Sequence, residues 1–117
     1  MHGVAVLSLY GNQLSGPIPS ELGLLDSNTK PLELIRGKDN GIRNVTKILL
    51  HDNDLTGTVP LSLGMLGMLQ VLEVYNNSRL SGTIPTSLCE LGSWPEEGGI
   101  KVDCELVNCT CGACSCT

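Results

Sequence analysis

The amino-acid sequence predicts an α/β solenoid, in which short repeats stack side by side. Three segments of the 117-residue chain align with a period of 24 residues, provided that 17 extra residues are allowed between the first and the second. Self-similarity at this period is typical of solenoids. Each segment opens with a leucine–x–leucine alternation, which predicts a short strand with every second side chain in the core.

The composition excludes several classes of function. Seven basic and twelve acidic residues give a net charge of −5, which disfavours nucleic acid and anionic membrane surfaces as main partners. Phenylalanine is absent, so the core must be aliphatic. No run of eighteen apolar residues is present, so we expect no membrane span in this chain.

The repeats divide the chain into two predicted regions, a repeat domain and a cysteine-rich C-terminal cap. Aligning Leu7, Ile48, Leu72 and Ile100 sets the register of four parallel strands. The repeat domain spans 1–103 and the cap 104–117. Within the repeat domain, the predicted parts are a repeat at 4–25, an insertion at 26–44, repeats at 45–68 and 69–92, and a partial repeat at 99–103.

An asparagine follows each of the first three strands, at Asn12, Asn53 and Asn77. The chain turns inward here and its backbone groups lose their ladder partners. An asparagine side chain has the donors and the acceptor to satisfy them. We therefore expect a structural asparagine ladder. A glycine with an unusual backbone angle and then a proline that begins the opposite side follow in each repeat.

This pattern resembles the leucine-rich repeat, and specifically the plant-specific extracellular subtype with Leu-x-Gly-x-Ile-Pro after the asparagine. The resemblance covers residues 4–25 and 45–91. That subtype builds receptor-like kinase ectodomains and polygalacturonase-inhibiting proteins. It implies a right-handed solenoid with a parallel sheet on its concave face. It also implies a non-enzymatic protein that binds proteins, peptides or cell-wall carbohydrate. The family's usual paired-cysteine N-terminal cap is missing, and no kinase follows.

The insertion at 26–44 carries four of the seven basic residues. It contains Asn40-Gly41, a tight-turn signal, between apolar residues that suit a small hairpin. Two interpretations stay open, a ligand-binding island and a tolerated surface excursion, since long insertions cost little free energy.

Six cysteines, five of them in the last fourteen residues, suit a disulfide cap over the end of the array. Fifteen pairings are open. The alternative is a thiolate site for Zn²⁺ or Cu⁺, but the spacing is unlike a zinc knuckle and no histidine is near. We expect no metal and no cofactor. The cap cysteines are Cys89, Cys104, Cys109, Cys111, Cys114 and Cys116.

Three glycosylation sequons, at Asn44, Asn76 and Asn108, agree with the cysteines in indicating a secreted or extracellular protein. No signal peptide is visible at the N-terminus. We expect the chain to be a mature segment, a fragment or an incomplete gene model.

The register places Tyr10, His51 and Tyr75 in one outward row of the concave face, beside Leu49 and Glu73 in the next row. Two tyrosines and a histidine on a rigid sheet are credible contacts for a peptide or a sugar. The alternative, which we weight equally, is that the three rings stack across the strands and only stabilise the sheet.

The size of this face limits what it can hold. Four strands give a flat area of roughly 200–250 Å², against about 800 Å² per partner in a standard interface. The first strand, with Val4 and Val6, is an open edge through which the chain could associate with itself.

Two functions follow, a recognition module and a structural or assembly element that belongs to a longer array. An ice-binding surface needs a regular threonine ladder, of which the sequence has only scattered pieces. Enzymatic activity is not expected: the two histidines lie in no catalytic motif, and His51 and Asp52 point to opposite sides of a strand.

Overall fold

The computed structural model describes residues 5–24, 45–92, 94–95 and 99–117. The insertion at 26–44, with its sequon at Asn44, and the edge residue Val4 lie outside these residues. The described chain forms two parallel sheets and short helical turns, which fit a solenoid-like α/β fold.

The larger sheet has five parallel strands, and its register is the one that the repeat alignment predicts. Leu7 pairs with Ile48, Ile48 with Leu72, and Leu72 with Ile100. The strand order is β1 (Ala5–Ser8), β3 (Val45–Leu49), β5 (Val71–Glu73), β7 (Ile100–Val102) and β8 (Cys114–Cys116).

A second parallel sheet, which the sequence analysis did not predict, follows the asparagine of each repeat. Its strands are β2 (Ser15–Pro17), β4 (Asp54–Gly57) and β6 (Arg79–Leu80). The predicted unusual glycine angles occur here, since φ is 83°, 78° and 86° at Gly16, Gly57 and Gly82. These segments pair with one another across repeats, whereas the glycine and proline pattern predicts only a bend.

The core is aliphatic, as the composition predicts. The inward residues of the larger sheet pack against leucines from the helical side of each repeat. The one tryptophan is half-buried, and its indole Nε1 donates to the Leu88 carbonyl at 2.7 Å. The fully buried large residues include Ile48, Leu63, Leu66, Leu69, Leu72, Leu88 and Ile100.

The side opposite the larger sheet consists of short helical turns, 3₁₀ at Ser20–Leu24 and Leu61–Met65 and α1 at Thr86–Cys89. Serine hydroxyls link successive turns: Ser62 Oγ donates to the Ser20 carbonyl at 2.6 Å, and Ser87 Oγ to the Leu61 carbonyl at 2.9 Å. The turns approach so closely that a Cβ at Gly23 would meet the backbone of Ser62. This contact explains why a glycine follows the leucine there.

The C-terminal tail adds a strand as well as disulfides. The repeat alignment predicts Ile100–Val102 as the last strand of the array, but β8 pairs with that strand in parallel. All six cysteines are disulfide-bonded. The bonds join Cys89 to Cys111, Cys104 to Cys116, and Cys109 to Cys114. None of the helices in the described ranges is long and apolar enough to cross a bilayer.

Candidate functional site

The rings of Tyr10, His51 and Tyr75 stack in one column across three repeats, here called the aromatic ladder. The ring centroids of Tyr10 and His51 lie 4.6 Å apart with 7° between the planes. Those of His51 and Tyr75 also lie 4.6 Å apart, with 14° between the planes. This spacing is close to the distance between neighbouring strands, so the repeat itself brings the rings into contact.

Backbone pairing continues past the strand ends and fixes the ladder. Gly11 N–H donates to the His51 carbonyl at 3.1 Å, and Asp52 N–H donates to the Tyr75 carbonyl at 3.2 Å. Leu50 and Val74, which precede His51 and Tyr75 in the chain, are buried in the core. Alternation along the strand therefore directs the rings outward.

The three rings differ in what they offer a ligand. The residue His51 is only 8% exposed, because the tyrosines cover both faces of its ring, whereas Tyr10 is 50% exposed and Tyr75 is half-buried. A ligand on this face would meet ring edges, the tyrosine hydroxyls and the outer faces of Tyr10 and Tyr75. The prediction that His51 contacts a ligand stays a prediction, and its visible role is to join the two tyrosines.

Glu73 lies beside the ladder and connects it to a lysine. Its Oε1 is 3.3 Å from His51 Nδ1, and its Oε2 is 3.6 Å from Lys101 Nζ. The His51 Nδ1 is buried and makes no hydrogen bond to any described residue, so the contact with Glu73 has the distance of an ion pair but not hydrogen-bond geometry. Leu49, half-buried, pairs with Glu73 in the sheet.

The surroundings of Tyr75 favour its neutral form. Burial raises the pKa of the Tyr75 hydroxyl, and the carboxylates of Glu73 and Asp52 raise it further. All three causes act in the same direction because each disfavours a phenolate. The hydroxyl therefore stays a hydrogen-bond donor to a higher pH than an ordinary tyrosine hydroxyl does.

The three predicted asparagines form a second ladder, here called the asparagine ladder. Its members become more buried from Asn12 through Asn53 to Asn77. Asn77 is 1% exposed. Its Nδ2 donates to the carbonyls of Val74 at 2.9 Å and Leu50 at 3.1 Å, and its Oδ1 accepts from Leu55 N–H at 3.0 Å. Asn53 makes the equivalent bonds one repeat earlier, accepting from the backbone of Asn12 and Leu14.

The residue before each asparagine of the asparagine ladder has a left-handed backbone conformation, which was not predicted. The φ angles are 73° at Gly11, 61° at Asp52 and 60° at Asn76. A signal was present, because glycine, asparagine and aspartate are the types that most readily adopt this conformation.

These left-handed positions support a polar network at the rim of the larger sheet. Asn76 Nδ2 donates to Asp52 Oδ1 at 2.5 Å, and Asn76 N–H donates to Asp103 Oδ2 at 2.7 Å. Thr117 Oγ1 donates to Asp103 Oδ1 at 3.0 Å. The network joins three successive units of the array, and a ligand on the ladder would border these two carboxylates.

The sequon asparagines differ in their surroundings. Asn76 is exposed, but its Nδ2 donates to Asp52, so an attached glycan would leave that nitrogen a single hydrogen for the bond. Asn108 is also exposed, and its backbone pairs with Gly82 and Ile84.

The cysteine cluster has the proximity but not the oxidation state of a metal site. One sulfur each from Cys89, Cys109 and Cys111 lies within 4.8 Å of the other two. A soft metal requires thiolates. Each of these sulfurs is in a disulfide instead.

A family model described as Leucine Rich Repeat matches residues 4–25 and 68–91. The matches support a leucine-rich repeat family. They fall on the first and the third repeat, which carry the two tyrosines of the ladder. No curated protein matches the chain. Leucine-rich repeats generally mediate protein binding, and solenoids use their extended surfaces for it.

Proposed function

We propose that this chain is a non-enzymatic recognition module of the plant-type, extracellular leucine-rich repeat class. Its ladder face binds a polypeptide segment. This face is the outward side of the larger sheet, which carries the aromatic ladder and, beside it, Lys47, Leu49, Glu73 and Lys101. The observation that carries the proposal is the aromatic ladder, a rigid column of side chains across three repeats. Rings already fixed by stacking lose little conformational entropy when a ligand binds.

A polypeptide is favoured over a cell-wall glycan by the orientation of the rings. A sugar packs on an aromatic face, and the aromatic ladder offers two, the outer faces of Tyr10 and of the half-buried Tyr75, because the other four ring faces are stacked on each other. A polypeptide can instead use the hydroxyls and edges of the rings together with the row beside them. That row has apolar, acidic and basic members in Leu49, Glu73 and Lys101.

A secreted location for this module is supported by the cysteines. Three disulfides hold the C-terminal end of the array, and such bonds persist in oxidising compartments. Glycosylation at Asn108 fits the same location, and there a glycan would lie beside the cap and away from the ladder.

The test is a selection of displayed random peptides against the immobilised chain, followed by affinity measurements on variants. Tyr10→Ala and Lys47→Glu change exposed residues of the ladder face. Leu61→Lys changes a 73% exposed residue on the helical side and is the matched control. We expect the two ladder-face variants to weaken binding by at least about tenfold and the control to bind like the wild type.

Peptides whose affinity is unaffected by both ladder-face variants, in chains with native circular dichroism, would overturn the proposal. A glycan array screened with the same variants decides the ligand class. Binding of glycans but no peptides, lost in Tyr10→Ala, would replace the polypeptide with a sugar.

A further inference from the structure

The aromatic ladder ends at Tyr75 with a step down to a shorter side chain. In the larger sheet β7 lies next to β5, on the side away from β3, and Glu73 pairs with Lys101. Two residues further on, the same register aligns Tyr75 with Asp103. One face of the Tyr75 ring stacks on His51, so its outer face points toward the position of Asp103. An aspartate side chain is too short to cover a tyrosine ring, so part of this face is open to a ligand.

Two carboxylates lie at this step, and Asn76 holds both of them in place. Asn76 N–H donates to Asp103 Oδ2 at 2.7 Å, and Asn76 Nδ2 donates to Asp52 Oδ1 at 2.5 Å. Thr117 Oγ1 donates to the other oxygen of Asp103 at 3.0 Å. An ionised carboxylate has about four acceptor positions, so both side chains keep acceptors for a ligand. We call the outer face of Tyr75 together with Asp103, Asn76 and Asp52 the Tyr75 step.

The negative charge of the Tyr75 step has no basic partner in the described ranges. No lysine or arginine there forms an ion pair with Asp52 or Asp103. The ion pairs that described lysine and arginine residues form are Arg79–Asp54 and Lys101–Glu73. Burial raises the pKa of the Tyr75 hydroxyl, and the carboxylates of Glu73 and Asp52 raise it further, so the field at the ring is negative. The step therefore combines an open aromatic face with uncompensated negative charge.

We infer that the Tyr75 step binds an arginine side chain of the polypeptide ligand, with the guanidinium on the outer face of Tyr75 and paired with Asp103. A guanidinium is planar, stacks on aromatic faces and donates to carboxylates in a fixed fork, whereas a lysine ammonium is a compact point charge. The site lies within the array, because β8 continues the sheet beyond β7. The inference rests on the proposed function, since it assigns one residue of the polypeptide that the ladder face binds.

A small probe tests the Tyr75 step without a selected peptide. The isotope-labelled chain is titrated with N-acetyl-arginine amide, and its amide chemical shifts are recorded. The control probe is N-acetyl-citrulline amide, which has the same shape but a neutral urea in place of the guanidinium. We expect saturable shift changes at Tyr75, Asn76 and Asp103 with the arginine probe and none with the citrulline probe. Raising the NaCl concentration from about 20 to about 500 mM should weaken this binding, because salt screens the ion pair.

Three charge-removing variants locate the binding of the arginine probe. Asp103→Asn should weaken it by at least about threefold, the size expected for a partly exposed ion pair. Asp52→Asn is the second variant, because asparagine suits the left-handed backbone at this position and keeps an oxygen for Asn76. It should weaken the probe less than Asp103→Asn does. Asp54→Asn removes the same charge at an exposed position of the second sheet and should bind the probe like the wild type.

Three results would overturn the arginine assignment. The first is the absence of saturable shift changes with the arginine probe at about 20 mM, far above the Kd of a millimolar ligand. The second is equal weakening by all three variants, which would reduce the effect to net charge. The third is a response of the same amides to CaCl2 but not to the arginine probe, which would assign the carboxylates to a metal ion.

Failure of this inference is distinguishable from failure of the proposed function. If selected peptides lose affinity in Tyr10→Ala while the arginine probe does not bind, the arginine assignment falls and the recognition function stands. If the probe binds but no peptide depends on the ladder face, the recognition function falls, and with it the arginine as part of a polypeptide.

Discussion

Replacing Asn77 by alanine tests the asparagine ladder at its most buried member. The side chain makes three strong bonds, to the Leu55 amide and to the carbonyls of Val74 and Leu50. Alanine removes all of them. The Leu50 carbonyl keeps a donor, because Asn53 Nδ2 also reaches it at 3.2 Å. The Leu55 N–H and the Val74 carbonyl lose the partners that they now have.

The magnitude follows from these two groups. A buried polar group left unsatisfied costs about 1–3 kcal/mol, so the variant should lose about 2–6 kcal/mol of unfolding free energy. Asn12→Ala is the matched control, because it is the same substitution at the exposed end of the ladder. There Asn12 Nδ2 donates to the Leu9 and Tyr10 carbonyls, and water can replace it.

Urea unfolding followed by circular dichroism measures both variants, with disulfides intact. We expect the free energy of unfolding to fall by about 2–6 kcal/mol in Asn77→Ala and by less than about 1 kcal/mol in Asn12→Ala. A difference between the two of less than about 1 kcal/mol would refute the reasoning, since water can replace the exposed bonds of Asn12 but not the buried bonds of Asn77.

Three further predictions concern the core, the pKa of Tyr75 and the cap. Leu72→Ala, at a fully buried position, should cost about 2–5 kcal/mol in urea unfolding. The control Leu61→Ala, at a residue that is 73% exposed, should change the free energy of unfolding by no more than about 0.5 kcal/mol. Equal losses in the two variants would contradict the register. In Tyr10→Phe, where Tyr75 is the only tyrosine, tyrosinate absorbance should titrate at higher pH folded than unfolded. Because the folded-state pKa of Tyr75 is raised, the stability linked to this group is present below pH ~10 and is lost as the pH rises through the folded-state pKa. Titration midpoints that coincide in the folded and the unfolded chain would contradict this. Peptide mapping without reduction should recover the three disulfide bonds Cys89–Cys111, Cys104–Cys116 and Cys109–Cys114. Any other connectivity would contradict the structure of the cap.

The first four strands of the larger sheet were predictable because their register has one solution. Shifting a strand by one residue would turn Ile48 or Leu72 to solvent, so the leucine alternation fixes the pairing. The same register predicted that Tyr10, His51 and Tyr75 share a row. The burial of His51 was not predictable from its type, because it results from rings on both neighbouring strands.

The second sheet and the end of the array could not be predicted from apolar patterning. Ser15–Pro17 and Arg79–Leu80 are short, and glycine and proline weaken any strand signal there. Cys114–Cys116 has no apolar alternation, and it joins the larger sheet where disulfides to Cys104 and Cys109 hold it. Sequence spacing alone cannot choose among fifteen pairings.

The most direct test of the recognition function is a map of where a selected peptide binds. Amide chemical shifts of the isotope-labelled chain, recorded with and without the peptide, report this residue by residue. We expect the largest changes at Tyr10, His51 and Tyr75 and in Lys47–Leu49 and Val71–Glu73, the strand segments that carry the rest of the ladder face. Changes concentrated instead in Leu61–Met65, on the helical side, would contradict the assignment of that face as the binding surface.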